Sequence, residues 1–205
     1  MIRNLTFAAL TLLSPTMVVA QDTSCAGANT YLVQRYAEAG DPEAQFQLSQ
    51  LLSRAICEGS DLAFGLDWLH AAAAQDHGDA SLILGIRYVT GLDVPEDINR
   101  GLDLMEVAAS TGHLEAQFQY GMLLLDQSQS DVHRDRALYW LGAAASQGET
   151  RAALTLGHVY ARGLHGVQRQ GCWATDWFEA ATLLAQDAKI DVSHLVPPNL
   201  HCDAS

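Results

Sequence analysis

Small and bulky side chains recur along the chain with a period of 36 residues. In each copy an alanine is followed four, five and eight residues later by a bulky, a small and another bulky residue. This spacing places all four positions on one face of an α-helix, where the small residues let a second helix approach closely. The four copies are Ala44, Leu48, Ser49 and Leu52; Ala80, Leu84, Gly85 and Tyr88; Ala116, Tyr120, Gly121 and Leu124; and Ala152, Leu156, Gly157 and Tyr160.

A second helix is predicted after each of these. Its signature is a bulky pair followed by alanines, as in Trp140-Leu141 and Ala143-Ala144. Glycines suited to the left-handed conformation at a helix C-terminus separate the units, at Gly40, Gly78, Gly112 and Gly148. The chain therefore reads as helix–turn–helix units. Because one helix pair cannot bury its apolar face alone, the units are expected to stack on one another.

The predicted fold class is all-α, an α-solenoid of about four such units. We expect residues 1–20 to be a signal peptide, residues 21–36 an N-terminal capping segment, residues 37–186 the four repeats and residues 187–205 a C-terminal tail. A lone capping helix is predicted over Asn29–Ala39, with Leu32, Val33 and Tyr36 facing inward.

Three stretches of this pattern resemble the Sel1-like repeat family. They are AEAGDPEAQFQL at Ala37–Leu48, LGIRYVTG at Leu84–Gly91 and ALYWLGAAA at Ala137–Ala145. The resemblance implies a right-handed superhelix related to tetratricopeptide repeats, and members generally serve as adaptors or scaffolds. The chain departs from the family pattern at Ser49 and at Asp126–Ser130, where glycines are usual.

The first residues have the features of a secretory signal. Arg3 precedes an apolar run over Leu5–Leu13, and small or modest residues lead to a cleavage site before Gln21. We expect a periplasmic or secreted location, with no membrane insertion after cleavage of the signal peptide. The chain carries 24 acids against 11 lysines and arginines, a formal net charge of −13. Because this charge repels phosphate backbones, a nucleic-acid partner is not expected.

Four cysteines can pair once the chain is exported, and three pairings are conceivable. A stack of four helix pairs places its two ends some tens of ångströms apart, whereas a disulfide needs Cα atoms within about 7 Å. We therefore predict Cys25–Cys57 at the first end and Cys172–Cys202 at the last.

Motifs for chemistry are scarce. The sequence lacks GxSxG, HExxH, P-loop and GxGxxG patterns, and its one lysine, Lys189, excludes SxxK elsewhere. His158, His165, His194 and His201 have spacings that match no zinc-binding pattern. No catalytic residue, metal site or cofactor is predicted. His70, His77, His113 and His133 are interpreted as surface residues near unit junctions.

The resemblance implies that first helices line a concave groove. The positions two and five after Leu48 and its equivalents should lean toward it: Gln50, Ser53, Ile86, Val89, Met122, Leu125, His158 and Ala161. The middle units are apolar there, which is typical of a partner site, although packing between units explains the pattern equally well. The favoured hypothesis is a non-catalytic adaptor that binds a protein or peptide. An envelope-acting hydrolase and a purely structural envelope protein remain alternatives.

Overall fold

The computed structural model of the protein describes residues 28–53, 62–127, 130–197 and 202. Within these residues the chain forms nine α-helices and no strand. The helices are α1 (Ala28–Glu38), α2 (Pro42–Ser53), α3 (Leu62–Ala73), α4 (Gly78–Thr90), α5 (Ile98–Ser110), α6 (Leu114–Asp126), α7 (Asp131–Ser146), α8 (Thr150–Arg162) and α9 (Gly171–Asp187). The predicted signal peptide and the predicted Cys25–Cys57 disulfide lie outside the described residues.

Consecutive helices pack against one another, as a solenoid requires. The contacts are most extensive within the pairs α2–α3, α4–α5, α6–α7 and α8–α9, and α1 packs on α2. Each pair adds its apolar face to a core that runs from unit to unit, with Leu84, Tyr120 and Leu156 among the most deeply buried side chains. The predicted all-α solenoid with an N-terminal capping helix is confirmed. None of the described helices is long and apolar enough to cross a bilayer.

The small residues of the repeat are the points where paired helices touch. A Cβ added to Gly121 would lie 2.9 Å from Cγ of Leu141, and one added to Gly157 would lie 2.8 Å from the Phe178 ring. The approach of α4 to α5 brings two glycines together. A Cβ on Gly85 would lie 2.9 Å from the carbonyl oxygen of Gly101, and the reverse distance is 2.7 Å. Only glycine allows this separation of backbones.

The repeated EAQFQ segment contains a buried glutamine that connects neighbouring units. The Gln117 side chain donates to the carbonyl oxygen of Ala109 at 3.1 Å and accepts from Gln147 at 2.6 Å. Gln45 makes the equivalent bonds to Ala37 and Gln75. Because a buried amide without partners is costly, these bonds explain why the same polar residue recurs inside an apolar face.

Two unit junctions contain histidines whose role the sequence reading missed. His77 and His113 are N-caps, and their Nδ1 atoms accept from the amides of Ala80 and Ala116. Since Nδ1 accepts, Nε2 carries the hydrogen and donates to a carboxylate of the preceding unit. The distance is 3.0 Å both from His77 to Glu43 and from His113 to Asp79. The histidines are therefore junction residues, and the hydrogen bond from His77 lowers the pKa of Glu43.

The prediction that Gly78 ends a helix in the left-handed conformation is wrong. Gly40, Gly112 and Gly148 have positive φ as expected, but Gly78 begins α4 and the left-handed residue of that junction is Asp76, with φ of 56°. Gly78 is small for another reason, since a Cβ there would lie 2.8 Å from the His113 ring.

The predicted inward face of α1 is also partly wrong. Val33 packs inward, but Leu32 and Tyr36 are 51% and 60% exposed. A terminal helix has a neighbour on one side, so its pattern carries less information about burial.

The last end of the solenoid is closed by the tail. A disulfide joins Cys172, at the start of α9, to Cys202. Val192 is buried against the core, and Val196 packs on it. The described part of the tail is thus held to the core through Val192 and Val196 and to the start of α9 through Cys202.

Candidate functional site

A pocket opens between α4 and α6, on the first helices of the second and third units. Its volume is about 320 Å³. We call it the α4–α6 pocket. Its lining residues are Ile86, Val89, Thr90, Met105, Gln119, Met122 and Leu123. Most of this lining is aliphatic or thioether, and none of these seven side chains is charged at neutral pH. Such a surface binds apolar side chains, and methionines allow it to adapt to different shapes.

The exposed apolar residues of the pocket are Ile86 and Met122, whose side chains are 38% and 37% exposed. They occupy equivalent positions, 36 residues apart, so stacking of the units places them side by side. Gln119 and Thr90 supply the polar groups. The Gln119 amide donates to Glu115 at 2.7 Å, and the Thr90 hydroxyl donates to the carbonyl oxygen of Ile86 at 2.8 Å. The pocket is apolar where it is deep and polar at two points.

Val89 forms a deeper part because it lies against the tight α4–α5 contact. A Cβ on Gly101 would lie 2.6 Å from Cγ2 of Val89. Met105, also on α5, is 2% exposed and closes the floor. The glycine contact therefore holds two of the pocket's side chains in position.

Of the predicted groove residues, Ile86, Val89 and Met122 line one pocket. The prediction for Leu125 is wrong, because this residue is 2% exposed and belongs to the core. Leu125 lies four residues after Gly121 and so on the same helix face, which packs on Leu141 of α7. Exposed apolar character at that position is thus absent in the third unit.

The predicted groove residues of the outer units do not line this pocket. Gln50 is half-buried, and the Ser53 hydroxyl donates to the carbonyl oxygen of Ser49 within its own helix. The His158 ring meets Phe178 edge-on at 5.0 Å between centroids, and burial lowers the pKa of His158. The sequence reading missed Thr90, Met105, Gln119 and Leu123. The helical period could have identified Gln119, which precedes Met122 by three residues and so lies on the same helix face.

The surroundings of the pocket carry ion pairs and no arrangement for metal binding. Arg151 bonds Glu115 and Glu149, and its guanidinium lies 4.3 Å from the centre of the Phe118 ring. These bonds raise the pKa of Arg151 and lower that of Glu149. Across the described ranges, no group of three or more histidine, cysteine, aspartate or glutamate residues is placed to hold a metal ion.

Comparison with known proteins agrees with the repeat architecture. The Sel1 repeat model matches residues 42–77, 78–113 and 114–149, so each match begins with one of the helices α2, α4 and α6. Helices α8 and α9 form a fourth pair beyond these matches, and the boundary of four repeats at 37–186 stays a prediction. A search of curated proteins finds no match.

Two solved structures are similar to this one. A protective antigen of uropathogenic Escherichia coli with an SLR fold has 27% identity and a TM-score of 0.68, over 77% of this chain and 33% of the antigen. A Sel1 repeat protein from Oxalobacter formigenes has 30% identity and a TM-score of 0.62, over 78% of this chain and 47% of that protein. This chain spans less than half the length of either. The matched repeats and these neighbours show that the chain belongs to the Sel1 repeat family.

Proposed function

We propose that this chain is an exported, non-catalytic protein-interaction module that binds a peptide or protein segment in the α4–α6 pocket. The family supports the general role, since Sel1 repeats mediate protein–protein interaction. The observation that carries the specific proposal is the apolar pocket itself, with Ile86 and Met122 exposed side by side. An apolar side chain of the partner enters between them, and the adjacent backbone bonds to Gln119 or Thr90 at the rim.

Export is supported by three features that point the same way. The first residues have the pattern of a signal peptide, a disulfide joins Cys172 to Cys202, and a similar structure is that of a protective antigen. We place the protein in the periplasm or outside the cell, where it acts as an adaptor in the cell envelope.

The experiment combines site-specific crosslinking with a matched pair of charge variants. A photoreactive amino acid replaces Thr90 at the pocket rim, in the cells that make the protein, and crosslinked partners are identified by mass spectrometry. The test variant is Ile86→Asp/Met122→Asp, which puts two charges into the pocket. The control is Val132→Asp/Tyr139→Asp, which adds the same charge at residues that are 65% and 66% exposed and lie outside the pocket.

We expect one dominant crosslinked partner, lost in the test variant and retained in the control, with both variants folded by circular dichroism. Burying an unpaired carboxylate against a bound apolar side chain costs several kcal/mol, about a hundredfold or more in affinity. Equal crosslinking by the two variants would refute the pocket as the binding site.

A further inference from the structure

A second pocket, distinct from the α4–α6 pocket, lies at the last unit between α8 and α9. It has a volume of about 400 Å³. We call it the aromatic pocket, and its lining residues are Tyr160, Trp173, Asp176, Trp177 and Ala180. Four of these come from α9 at spacings of three and four residues, so they share one helix face. Three aromatic rings and one carboxylate thus line one cavity.

The rings of Tyr160 and Trp173 stand nearly perpendicular to each other. Tyr160 and Trp173 are 5.1 Å apart between centroids, with their planes at 76°. Tyr160 is 8% exposed and Trp173 is 52% exposed, so one ring is fixed in the core and the other stands at the opening. Trp177 is half-buried and packs against the core. Small Ala180 leaves room on the same helix face.

The charges around the aromatic pocket favour a cation. Asp176 is exposed and lines the opening, and the lining residues include no lysine, arginine or histidine. Burial, together with the nearby Asp135 carboxylate, raises the pKa of Tyr160, which keeps that ring neutral. The faces of aromatic rings attract cations, and cages of such rings are the recognised way in which proteins bind quaternary ammonium groups.

We propose that the aromatic pocket binds the quaternary ammonium group of a small solute such as choline. The methyl groups of the ligand contact the rings of Tyr160, Trp173 and Trp177, and its charge is balanced by Asp176. A sugar fits less well, because a sugar ring stacks flat on one aromatic face, whereas the Tyr160 and Trp173 planes meet at 76°. This site is independent of the adaptor function proposed above, and either proposal can fail without the other.

The test uses choline chloride as the probe, with affinity measured on the full chain from the choline methyl signal in NMR. This readout stays available when a tryptophan is removed. The ligand control is dimethylbutanol, the neutral analogue in which carbon replaces the quaternary nitrogen. We expect choline to bind saturably and about tenfold more tightly than this analogue, since the shapes match and only the charge differs.

Three variants locate the site. Trp173→Leu removes the exposed wall and should weaken choline binding about tenfold, and Asp176→Asn preserves shape and should weaken it about threefold. Tyr139→Leu is the matched control, because this aromatic residue is 66% exposed but does not line the pocket, and it should leave affinity unchanged. Should Trp173→Leu fail to fold, Asp176→Asn and dimethylbutanol still decide the question.

The proposal is overturned by any of three results. These are absence of saturable choline binding, equal affinity for choline and dimethylbutanol, and equal effects of Trp173→Leu and Tyr139→Leu. Displacement of choline by a neutral hexose at similar concentration would identify a sugar site and also overturn it. Competition by phosphatidylcholine vesicles, lost in Trp173→Leu, would identify a lipid headgroup as the source of the ammonium group, whereas no competition identifies the free solute.

Discussion

Substitution of Gly101 by alanine tests whether the close contact of α4 and α5 supports the fold. In a helix interior alanine is favoured over glycine by about 1 kcal/mol. Against this, the new Cβ would lie 2.6 Å from Cγ2 of Val89, 2.7 Å from the carbonyl oxygen of Gly85 and 3.0 Å from the Val89 amide nitrogen. Two of these atoms belong to the backbone and cannot rotate away.

The expected effect follows from the difference between these two contributions. Overpacking of a tight contact costs about 1–3 kcal/mol, and the backbone contacts place Gly101→Ala near the upper limit. We therefore expect a net loss of about 2 kcal/mol in the free energy of unfolding. Gly142→Ala is the matched control, because Gly142 lies inside α7 and a Cβ there would meet nothing within 4 Å. This variant should gain about 1 kcal/mol.

The assay is urea unfolding followed by far-UV circular dichroism. The free energies are comparable only if the slope of the transition is the same in wild type and both variants, since stacked repeats can unfold in more than one step. The difference of about 3 kcal/mol between the variants measures the steric cost with the helix propensity cancelled. If Gly101→Ala stabilises the chain as much as Gly142→Ala does, the helices are not in tight contact and the reasoning is refuted.

Three further predictions concern the junctions, the core and the tail. His113→Ala should cost about 1 kcal/mol in thermal or urea unfolding, and His113→Asn should recover most of it because asparagine also caps helices; equal losses would contradict the capping role. Burial, with a smaller effect of Glu106, raises the pKa of Tyr120 to about 12. Since the pKa in the folded state exceeds the unfolded value of 10.0, the contribution of neutral Tyr120 to the free energy of unfolding is present below pH 10.0 and declines as pH rises toward 12. An ultraviolet titration of Tyr120→Phe should lack the tyrosine that ionises at the higher pH, and an unchanged titration curve would refute the assignment. Cys202→Ser opens a loop with a sequence separation of 30 residues and should cost about 3–4 kcal/mol in urea unfolding, whereas a loss below about 1 kcal/mol would show that the tail is not coupled to the fold.

The architecture could be predicted because the repeat is a regular pattern of small and bulky side chains. Ala80, Gly85 and Tyr88 occupy one face of α4, and their equivalents in the other units occupy the same face because the helix period is fixed. Four copies of a pattern reinforce one another, so a departure such as Ser49 does not obscure it. Ser49 is buried and its hydroxyl donates to the carbonyl oxygen of Phe46, which satisfies the extra polar group locally.

The site could be predicted less well, because a pocket depends on which helix covers each face. Ile86 and Leu125 both follow a small residue in an apolar stretch, but Ile86 comes one residue after Gly85 and Leu125 four residues after Gly121. A step of one turns the side chain away from the partner helix, and a step of four returns it toward that helix. The roles of His77 and His113 at the unit junctions could not be predicted either, since their hydrogen bonds to carboxylates join residues 34 positions apart.

The position of the α4–α6 pocket follows from what the repeat leaves free. Contacts between helices fix the alanine, the small residue and the bulky core residues in every unit. The position after the small residue varies more, and it is Gln50, Ile86, Met122 and His158. The middle two copies are apolar and exposed, so this position contributes to an apolar pocket between the second and third units. Because Val89 and Met105 are held by the Gly85–Gly101 contact, the floor of this pocket belongs to the rigid core. A bound side chain then loses its own freedom but orders little of the protein, which favours affinity in a pocket of modest size.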